Sequence, residues 1–384
     1  MKNESIKTLL EKKLKEFTFD YEDNDISGVM HLLDTEEDMQ KMYDFIVNNN
    51  ITDIDDIYEY GFELYDDLDE ITGVEEGPKV VDGVLGHAVG DALGTPVQFK
   101  DRDSLFYNPV KDMRRSYAGD KGTWSDDTSM EIATIDSFIN CNGWDYDDIM
   151  INFYDWLNDG KYTARGNTFD VGRTCLRAIK SFYNGNTTAL ESGLCDNNSN
   201  GNGSLMRILP IAYYSFYKKI PNNDIYELVK NISSLTHRHE ISILGCYIYV
   251  LYVIKLLQGK DKLSAYNMIR IEDYSMFSEE SLKAYSRILK DDLNALKVDD
   301  IKSSGYVVAT LEASLWIVLK SDNYKESIIG AVNLGGDTDT IGAITGSMTG
   351  IIYGYDSIPK DWLKELARRE YLEDLAMKFE SAIK

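Results

Sequence analysis

Glycine recurs at every fourth position in two separate parts of this sequence. The first set is Gly86, Gly90 and Gly94, and the second is Gly342, Gly346, Gly350 and Gly354. Because a glycine inside a helix costs about 1 kcal/mol relative to alanine, its repeated use needs a compensating contact. Residues four apart share one helix face, and without Cβ atoms that face lets another backbone approach. The spacing predicts two helices in the centre of a bundle, and ordinary small-residue packing explains it at least as well as a ligand role does.

The rest of the chain also favours helices. Apolar residues recur at helical spacing and alternating strand patterns are scarce, so the predicted fold class is all-α. The main predicted helices are residues 84–93, 130–139, 226–235, 241–257 and 307–319. The run 241–257 is almost entirely apolar, but it is short for a membrane span and contains Ser242, Gly245 and Lys255. It is predicted to be a buried helix, and no membrane association is expected.

The first 80 residues carry most of the negative charge. They hold 23 Asp and Glu against 7 Lys, a net charge of −16 out of −25 for the chain. Helical spacing appears in residues 6–17, in 39–46 after a cap at Thr35, and in 54–68, before turn signals at 73–78. These patterns predict an acidic helical N-terminal module, 1–77, and a main domain, 78–384. The charge argues against direct nucleic-acid binding and leaves open a basic protein partner or simple solubility.

The cysteines and the N-terminus predict a cytoplasmic protein. Four cysteines, interpreted as free buried thiols, show no CxxC spacing: Cys141, Cys175, Cys195 and Cys246. The N-terminal residues MKNESIKTLLEKK show neither the apolar core nor the cleavage site of a signal peptide.

Two short acidic stretches, about 210 positions apart, set aspartates beside hydroxyl residues. They are GTWSDDTSM (122–130) and NLGGDTDTIG (333–342). Because unpaired buried carboxylates are costly, a cation is the natural partner if the fold brings the stretches together. Carboxylate and hydroxyl ligands suit Mg²⁺, Mn²⁺ or Ca²⁺, whereas Zn²⁺ favours His or Cys. Asp and Ser before a helix are also ordinary N-caps, so for either stretch alone capping and metal binding stay equally open.

Six motifs, including both acidic stretches, occur in a characteristic order. They are GHAVGDALGTPVQF (86–99), GTWSDDTSM (122–130), FDVGRT (169–174), GNGSLMRILP (201–210), LTHRH (235–239) and NLGGDTDTIGAITG (333–346). Together they resemble the ADP-ribosylglycohydrolase family, which includes the dinitrogenase reductase-activating glycohydrolases. The resemblance extends from about residue 78 to the C-terminus and implies an all-helical, ADP-ribosylglycohydrolase-type bundle.

The resemblance implies a binuclear Mg²⁺ or Mn²⁺ centre at the bottom of a cleft for ADP-ribose. The implied metal ligands are Ser125, Asp126, Asp127, Asp337, Asp339 and Thr340, and Asp126 and Asp127 are also expected to be catalytic. Four carboxylates against two divalent ions would bring the site near charge balance. Gly335 and Gly336 are expected to give the second stretch freedom to turn.

Substrate-binding positions follow from the same resemblance. The residues expected around the diphosphate and ribose are Ser199, Gly201, Asn202, Gly203 and His237. Asp170 and Gly172 are expected near the distal ribose, where Asp170 could assist proton transfer. Each has an ordinary alternative, because a histidine at a helix start is often satisfied by backbone and Asp-x-Gly is often a turn.

The implied activity is metal-dependent hydrolysis that removes ADP-ribose from modified protein, with arginine as the preferred attachment, and without an organic cofactor. One catalytic position differs, because many relatives have Glu where this chain has Gln98, and an amide cannot accept a proton. Asp170 or a metal-activated water would then serve as the base, or hydrolysis would be weak. The alternative is a binding or immunity protein on the same fold whose residues 1–77 recognise an ADP-ribosyltransferase toxin.

Overall fold

The structure is a computed structural model. It describes residues 6–14, 33, 36–48, 57 and 79–384. The chain divides into two compact units, Met1–Gly77 and Pro78–Lys384. Within the described residues the structure contains helices and three isolated bridges but no β-strand, so the predicted all-α class is confirmed.

Two helices are described in the first unit, α1 (Ile6–Leu14) and α2 (Glu36–Asn48). Their apolar faces share one small core, to which they contribute Leu10, Leu14, Met42 and Ile46. The predicted cap Thr35 and all of the predicted run 54–68 except Ile57 lie outside the described residues.

The second unit is a helical bundle. Its helices are α3 (Val80–Gly94), α4 (Arg102–Tyr107), α5 (Asp126–Cys141), α6 (Tyr146–Asp159), α7 (Arg173–Tyr183), α8 (Leu209–Tyr217), α9 (Asn222–Ser234), α10 (Glu240–Leu257), α11 (Lys262–Arg270), α12 (Glu279–Ala284), α13 (Ser286–Leu289), α14 (Val307–Lys320), α15 (Tyr324–Val332), α16 (Thr338–Tyr353), α17 (Lys360–Glu365) and α18 (Arg369–Ile383). Every helix predicted for this part of the chain is present. Helix α5 begins four residues earlier than predicted, because Ser125 is its N-cap.

Helices α3 and α16 pack antiparallel in direct backbone contact. A Cβ atom on Gly86 would lie 2.2 Å from the carbonyl oxygen of Gly346, and one on Gly90 would lie 2.0 Å from that of Gly342. No side chain fits at such distances, so the predicted close approach at both glycine sets is confirmed. Gly354 differs from the others, because it follows the last residue of α16 and has a φ of 76°, as a helix-ending glycine does.

Helix α10 lies in the main core, packed against α8, α9 and α14. It is the one helix in the described part of the chain that is long and apolar enough to cross a membrane, and 83% of it is buried inside the protein. The prediction of a buried helix is confirmed. The thiols differ from the prediction in part, because Cys175 and Cys246 are buried while Cys141 and Cys195 are exposed.

Candidate active site

The antiparallel pair α3 and α16 determines where the two acidic stretches meet. The C-terminal end of α3 lies beside the N-terminal end of α16, since a Cβ atom on Gly94 would lie 2.2 Å from the carbonyl oxygen of Thr338. A pocket of about 390 Å³ opens here, a volume within the range of small-ligand sites. Among the residues predicted from sequence, it is lined by Gln98, Asp126, Asp127, Asp170, Gly172, Gly201, Asn202, Gly203, His237, Asp337 and Thr340.

The first acidic stretch forms the start of α5. The Ser125 hydroxyl caps the helix by accepting from the N–H of Asp127, and it donates to Asp127 Oδ2 at 3.0 Å. Asp126 and Asp127 lie in the first turn, where the helix dipole favours negative charge. The first stretch therefore caps α5 through Ser125 and also places Asp126 and Asp127 at the pocket.

Asp91 supports this turn through hydrogen bonds and was not predicted from the sequence. It is fully buried on α3, and its carboxylate accepts from the N–H of Ser125, the N–H and hydroxyl of Thr128, and the hydroxyl of Thr95. Burial raises its pKa, and the hydrogen bonds from Thr128 and Ser125 oppose that rise. The available signal was an aspartate in the glycine-rich α3, which also contains Asp82 and His87.

The second acidic stretch forms the start of α16. Gly335 and Gly336 both have a φ of 73°, which confirms the predicted freedom of this loop. Asp337 is the N-cap residue, and its Oδ2 accepts from the amide of Asn202 at 2.6 Å. The Thr340 hydroxyl lies within hydrogen-bonding reach of Asp337 and also of Asp127 in the first stretch. The two stretches therefore meet around Thr340.

Among the described residues, the charged groups that most affect the converging carboxylates are other carboxylates. Burial, followed by neighbouring carboxylates, raises the pKa of Asp126, Asp127 and Asp339 well above its ordinary value. Asp127 Oδ1 and Asp339 Oδ2 are buried without a hydrogen-bond partner among the residues that the structure describes. Free, buried carboxylate oxygens facing like charges fit the demands of a hard divalent cation.

The predicted ligand residues are thus gathered in one place, although not all at the surface of the pocket. Ser125 and Asp339 are buried beneath it. In the described residues, no three His, Cys, Asp or Glu side chains are arranged so that they could share a metal ion by themselves. The predicted set also contains the hydroxyls of Ser125 and Thr340, and the metal centre stays a prediction.

Gln98 is tied directly to the second acidic stretch. The Gln98 side chain hydrogen-bonds Asp337 and lowers the pKa of that carboxylate against the effect of burial. The neighbouring backbone is fastened as well, because the N–H of Phe99 donates to the Gly336 carbonyl at 2.7 Å and the N–H of Gly336 donates to the Lys100 carbonyl. In this chain position 98 supplies a donor to an aspartate.

Two of the predicted substrate residues are hydrogen-bonded to other side chains of the protein. The hydroxyl of Ser199 donates to Asp196 at 2.7 Å, and the structure does not bring Ser199 to the pocket wall, where Asn198 lies instead. Asn202 lines the pocket, but its amide donates to Asp337 and to Thr310. Its visible role is to hold Asp337 in place. A hydrogen-bond network between distant segments leaves no local pattern from which this role could have been predicted.

Asp170 lies at the pocket with an unpartnered oxygen. It adopts a left-handed backbone conformation, with a φ of 56°, and its buried Oδ2 has no hydrogen-bond partner in the described part of the chain. Such a conformation in a residue other than glycine is uncommon and is often retained for function. Asp170 therefore offers a free acceptor to whatever enters the pocket.

Several lining residues were not predicted from the sequence. They are Phe99, Arg173, Thr174, Cys175, Asn198, Met206 and Gly305. Arg173 and Thr174 lie within the FDVGRT motif and begin α7, so their place in that motif was an available signal.

An exposed tyrosine and a half-buried phenylalanine lie beside Asp170. Tyr117 is 76% exposed at the tip of a tight turn closed by two hydrogen bonds between Ser116 and Gly119. Its ring meets that of Phe169 edge to face, with centroids 6.1 Å apart. Desolvation, followed by the charge of Asp170, raises the pKa of Tyr117 to about 12, so this phenol senses the acidic pocket.

The comparison with known sequences decides the family. The sequence model of the ADP-ribosylglycohydrolase family matches residues 75–384. The chain belongs to the ADP-ribosylglycohydrolase family. The resemblance predicted from the six motifs is thereby confirmed.

Named relatives of this chain come from several bacteria. The ADP-ribosylarginine hydrolase Tri1 of Serratia proteamaculans (strain 568) is 29% identical over 304 residues, 78% of this chain and 78% of that protein. Tri1 of Pseudomonas putida (strain GB-1) is 30% identical over 294 residues, 76% of this chain and 75% of that protein. The ADP-ribosyl-(dinitrogen reductase) glycohydrolase of Rhodospirillum rubrum is 29% identical and covers 77% of this chain and 92% of its own length.

A solved structure supports the same membership. A chain of an ADP-ribosylglycohydrolase-related protein complex superposes with a TM-score of 0.67 and 26% sequence identity. The match covers 79% of this ADP-ribosylglycohydrolase and 98% of the solved chain. The family's helical fold therefore accounts for nearly all of the second unit.

Proposed function

We propose that this ADP-ribosylglycohydrolase is a divalent-metal-dependent enzyme that releases ADP-ribose from ADP-ribosylated arginine side chains of proteins. The observation that carries the proposal is the convergence of buried aspartates from two helix N-termini beneath one pocket. Membership of a glycohydrolase family supplies the reaction class.

The proposed ligands of two Mg²⁺ or Mn²⁺ ions are the six oxygen donors of the two acidic stretches: Ser125, Asp126, Asp127, Asp337, Asp339 and Thr340. When bound, such ions supply Lewis-acid polarisation of water and of sugar oxygens. The unpartnered oxygens of Asp127 and Asp339 support this assignment.

Residues of the chain provide the proton transfer and the positioning of the ligands. Asp170 presents a free carboxylate oxygen that can take a proton from the attacking water. The water oxygen joins C1″ of the ribose, the bond from C1″ to the guanidine nitrogen breaks, and the proton taken by Asp170 passes to the leaving guanidine nitrogen. Gln98 takes no part in proton transfer and instead holds Asp337 through its amide.

Arginine as the attachment site is supported by two considerations. Two relatives carry the name ADP-ribosylarginine hydrolase. In addition, the rim beside Asp170 combines an acidic group with the exposed ring of Tyr117 and the half-buried ring of Phe169. A guanidinium is planar and cationic, and aromatic faces and carboxylates are the groups that bind it well.

The test measures release of ADP-ribose from arginine-modified protein, with and without Mg²⁺ or Mn²⁺. Wild type is compared with the double variant Asp126→Ala, Asp339→Ala, and both are also given protein modified on serine. We expect metal-dependent release from arginine by wild type and loss of release by the variant. Equal turnover by both proteins would refute the metal site, and release from serine alone would refute the arginine preference.

A second candidate function concerns the N-terminal unit. Residues 1–77 form a compact unit, and residues 1–74 precede the part matched by the family model. With the net charge of −16 in the first 80 residues, this unit suits a basic partner surface. We propose, as the alternative, that it docks on an ADP-ribosyltransferase toxin and gives immunity. Removal of residues 1–77 should then abolish binding to a co-encoded transferase and leave hydrolysis intact, and unchanged binding would refute this.

A further inference from the structure

A buried arginine lies behind the pocket without a carboxylate partner in the described residues. Arg207 is fully buried, stacks over the ring of Phe153 at 4.9 Å, and donates to the Ile232 carbonyl at 3.0 Å. The same Nη2 donates to the hydroxyl of Thr236 at 2.9 Å. Burying a guanidinium costs free energy. The burial of Arg207 with these hydrogen bonds therefore calls for a structural explanation.

The bond to Thr236 constrains the neighbouring histidine. A guanidinium can only donate, so the Thr236 oxygen accepts at that contact and keeps its own hydrogen to give elsewhere. His237 Nδ1 lies 2.9 Å from this oxygen. The Cys175 thiol is the other group that Thr236 can reach, and sulfur is a weaker acceptor than an imidazole nitrogen. Donation from the hydroxyl to Nδ1 is therefore the favoured arrangement, and it places the ring proton on Nε2.

The other side of the imidazole faces the pocket. Nε2 lies 3.5 Å from the position that a Cβ atom would take on either Gly201 or Gly203, and all three residues line the cavity. A Cβ atom on Gly203 would lie only 2.8 Å from His237 Cε1, so the absence of a side chain there makes room for the ring. Burial, followed by the charge of Arg207, lowers the pKa of His237 to about 3, which keeps the ring neutral.

We propose that Arg207 and Thr236 are positioning residues that hold His237 as a neutral Nε2–H donor directed into the pocket. In this arrangement His237 binds an acceptor oxygen of the ligand and does not act as a general base. The identity of that oxygen, in the diphosphate or a ribose, rests on the proposed function. The tautomer itself follows from the hydrogen-bond chain alone.

The tautomer can be measured without any activity assay. The full chain contains four histidines, so ¹⁵N-histidine NMR at neutral pH is tractable, with His237 identified by its loss in His237→Gln. We expect an unprotonated Nδ1 and a protonated Nε2. A spectrum with the proton on Nδ1, or a charged ring, would overturn the proposal.

Variants test the relay itself. Thr236→Val removes the hydroxyl, and we expect mixed tautomers and a Kd for ADP-ribose about tenfold weaker. Thr236→Ser should restore both. The matched control is Thr345→Val, because Thr345 is equally buried and its hydroxyl has no partner in the described residues.

The outcomes are separable. An unchanged tautomer and an unchanged Kd in folded Thr236→Val would refute the relay. A wild type that shows the expected tautomer but binds no ADP-ribose would refute the proposed function and leave the relay intact. If Thr236→Val fails to fold, the wild-type spectrum and Thr236→Ser still decide the question.

Discussion

Asp91 and Ser125 are 34 positions apart, yet both carboxylate oxygens of Asp91 accept from the backbone N–H of Ser125, at 2.9 and 3.0 Å. The same carboxylate holds Thr128 by its N–H and by its hydroxyl. Asp91 thus fastens the turn that carries Asp126 and Asp127 while lying outside the pocket lining. One buried aspartate organises the turn that presents the others.

Asp91→Asn tests this support. An amide leaves one oxygen where there were two and places an NH₂ group against donors. We expect the free energy of unfolding to fall by about 2 to 3 kcal/mol in urea titrations followed by circular dichroism with Mg²⁺ present. The control Asp103→Asn makes the same change at an exposed position and should stay within about 0.5 kcal/mol of wild type. Equal effects at the two positions would contradict the supporting role.

Gly90→Ala tests the contact between α3 and α16. The added Cβ would meet the backbone of Gly342, which has no flexible end to move, so the helices must separate. We expect a loss of about 3 kcal/mol or a failure to fold, more than the gain of about 1 kcal/mol in helix propensity. Thermal unfolding of wild type and variant measures this loss of stability. Gly330→Ala, also inside a helix, meets only the side chain of Ile317 and should cost little; a similar cost at both glycines would argue against tight packing.

The glycine spacing shows how far sequence could lead. Residues four apart share a helix face whatever the fold, so Gly86 and Gly90 signalled a close approach before any partner was known. That their partners would be Gly346 and Gly342 depends on tertiary packing, which no local pattern encodes. Gly354 kept the spacing and yet ends its helix, because the same residue serves both contacts and caps.

The site shows the same division. Asp126, Asp127 and Asp337 could be placed by motif, since they lie at or directly after the N-caps of their helices. Asp91 and Asn202 could not be assigned, because their roles consist of hydrogen bonds to residues 34 and 135 positions away. The role of a residue that positions other residues depends on contacts between distant segments, which a local sequence pattern does not show.

Gln98 and Asp170 can be separated by their effects on turnover. A general base contributes about 10²–10⁴-fold to the rate, and an amide cannot act as one. We therefore expect Asp170→Asn to lower kcat by at least about 100-fold and Gln98→Ala to lower it by less than about tenfold. Steady-state release of ADP-ribose from arginine-modified protein gives both values. The reverse order would place the proton transfer at position 98 or on water and remove Asp170 from that role.

Tyr117→Ala should affect the modified protein more than the free nucleotide. If the exposed ring binds the guanidinium side of the substrate, its loss raises KM for arginine-modified protein by about fivefold to tenfold and leaves the Kd of ADP-ribose unchanged. Phe106 and Tyr107 form a comparable exposed pair away from the pocket lining, so Tyr107→Ala is the control. Equal weakening of free ADP-ribose by Tyr117→Ala would instead place the ring at the nucleotide end.

Asp339→Asn should have opposite effects on stability with and without divalent ions. Asp339 is fully buried, one of its oxygens has no partner, and burial and then the charges of Asp337 and Asp127 raise its pKa. Removing this charge relieves repulsion, so in EDTA the variant should be more stable than wild type, by about 1 kcal/mol or more.

Added Mg²⁺ or Mn²⁺ should reverse that order. A ligand at 100 times its Kd stabilises the folded state by about 2.7 kcal/mol, and only wild type keeps the complete set of oxygen donors. Thermal unfolding is measured in EDTA and in rising MgCl₂ or MnCl₂, with the ionic strength held constant by KCl. This compares the two proteins without and with divalent ions. Asp103→Asn should follow wild type throughout. Two outcomes would show that these carboxylates do not bind a metal: no rise in the unfolding temperature of wild type that is specific to divalent ions, or an equal rise for Asp339→Asn. An equal rise would point to simple charge screening, which acts on both proteins alike.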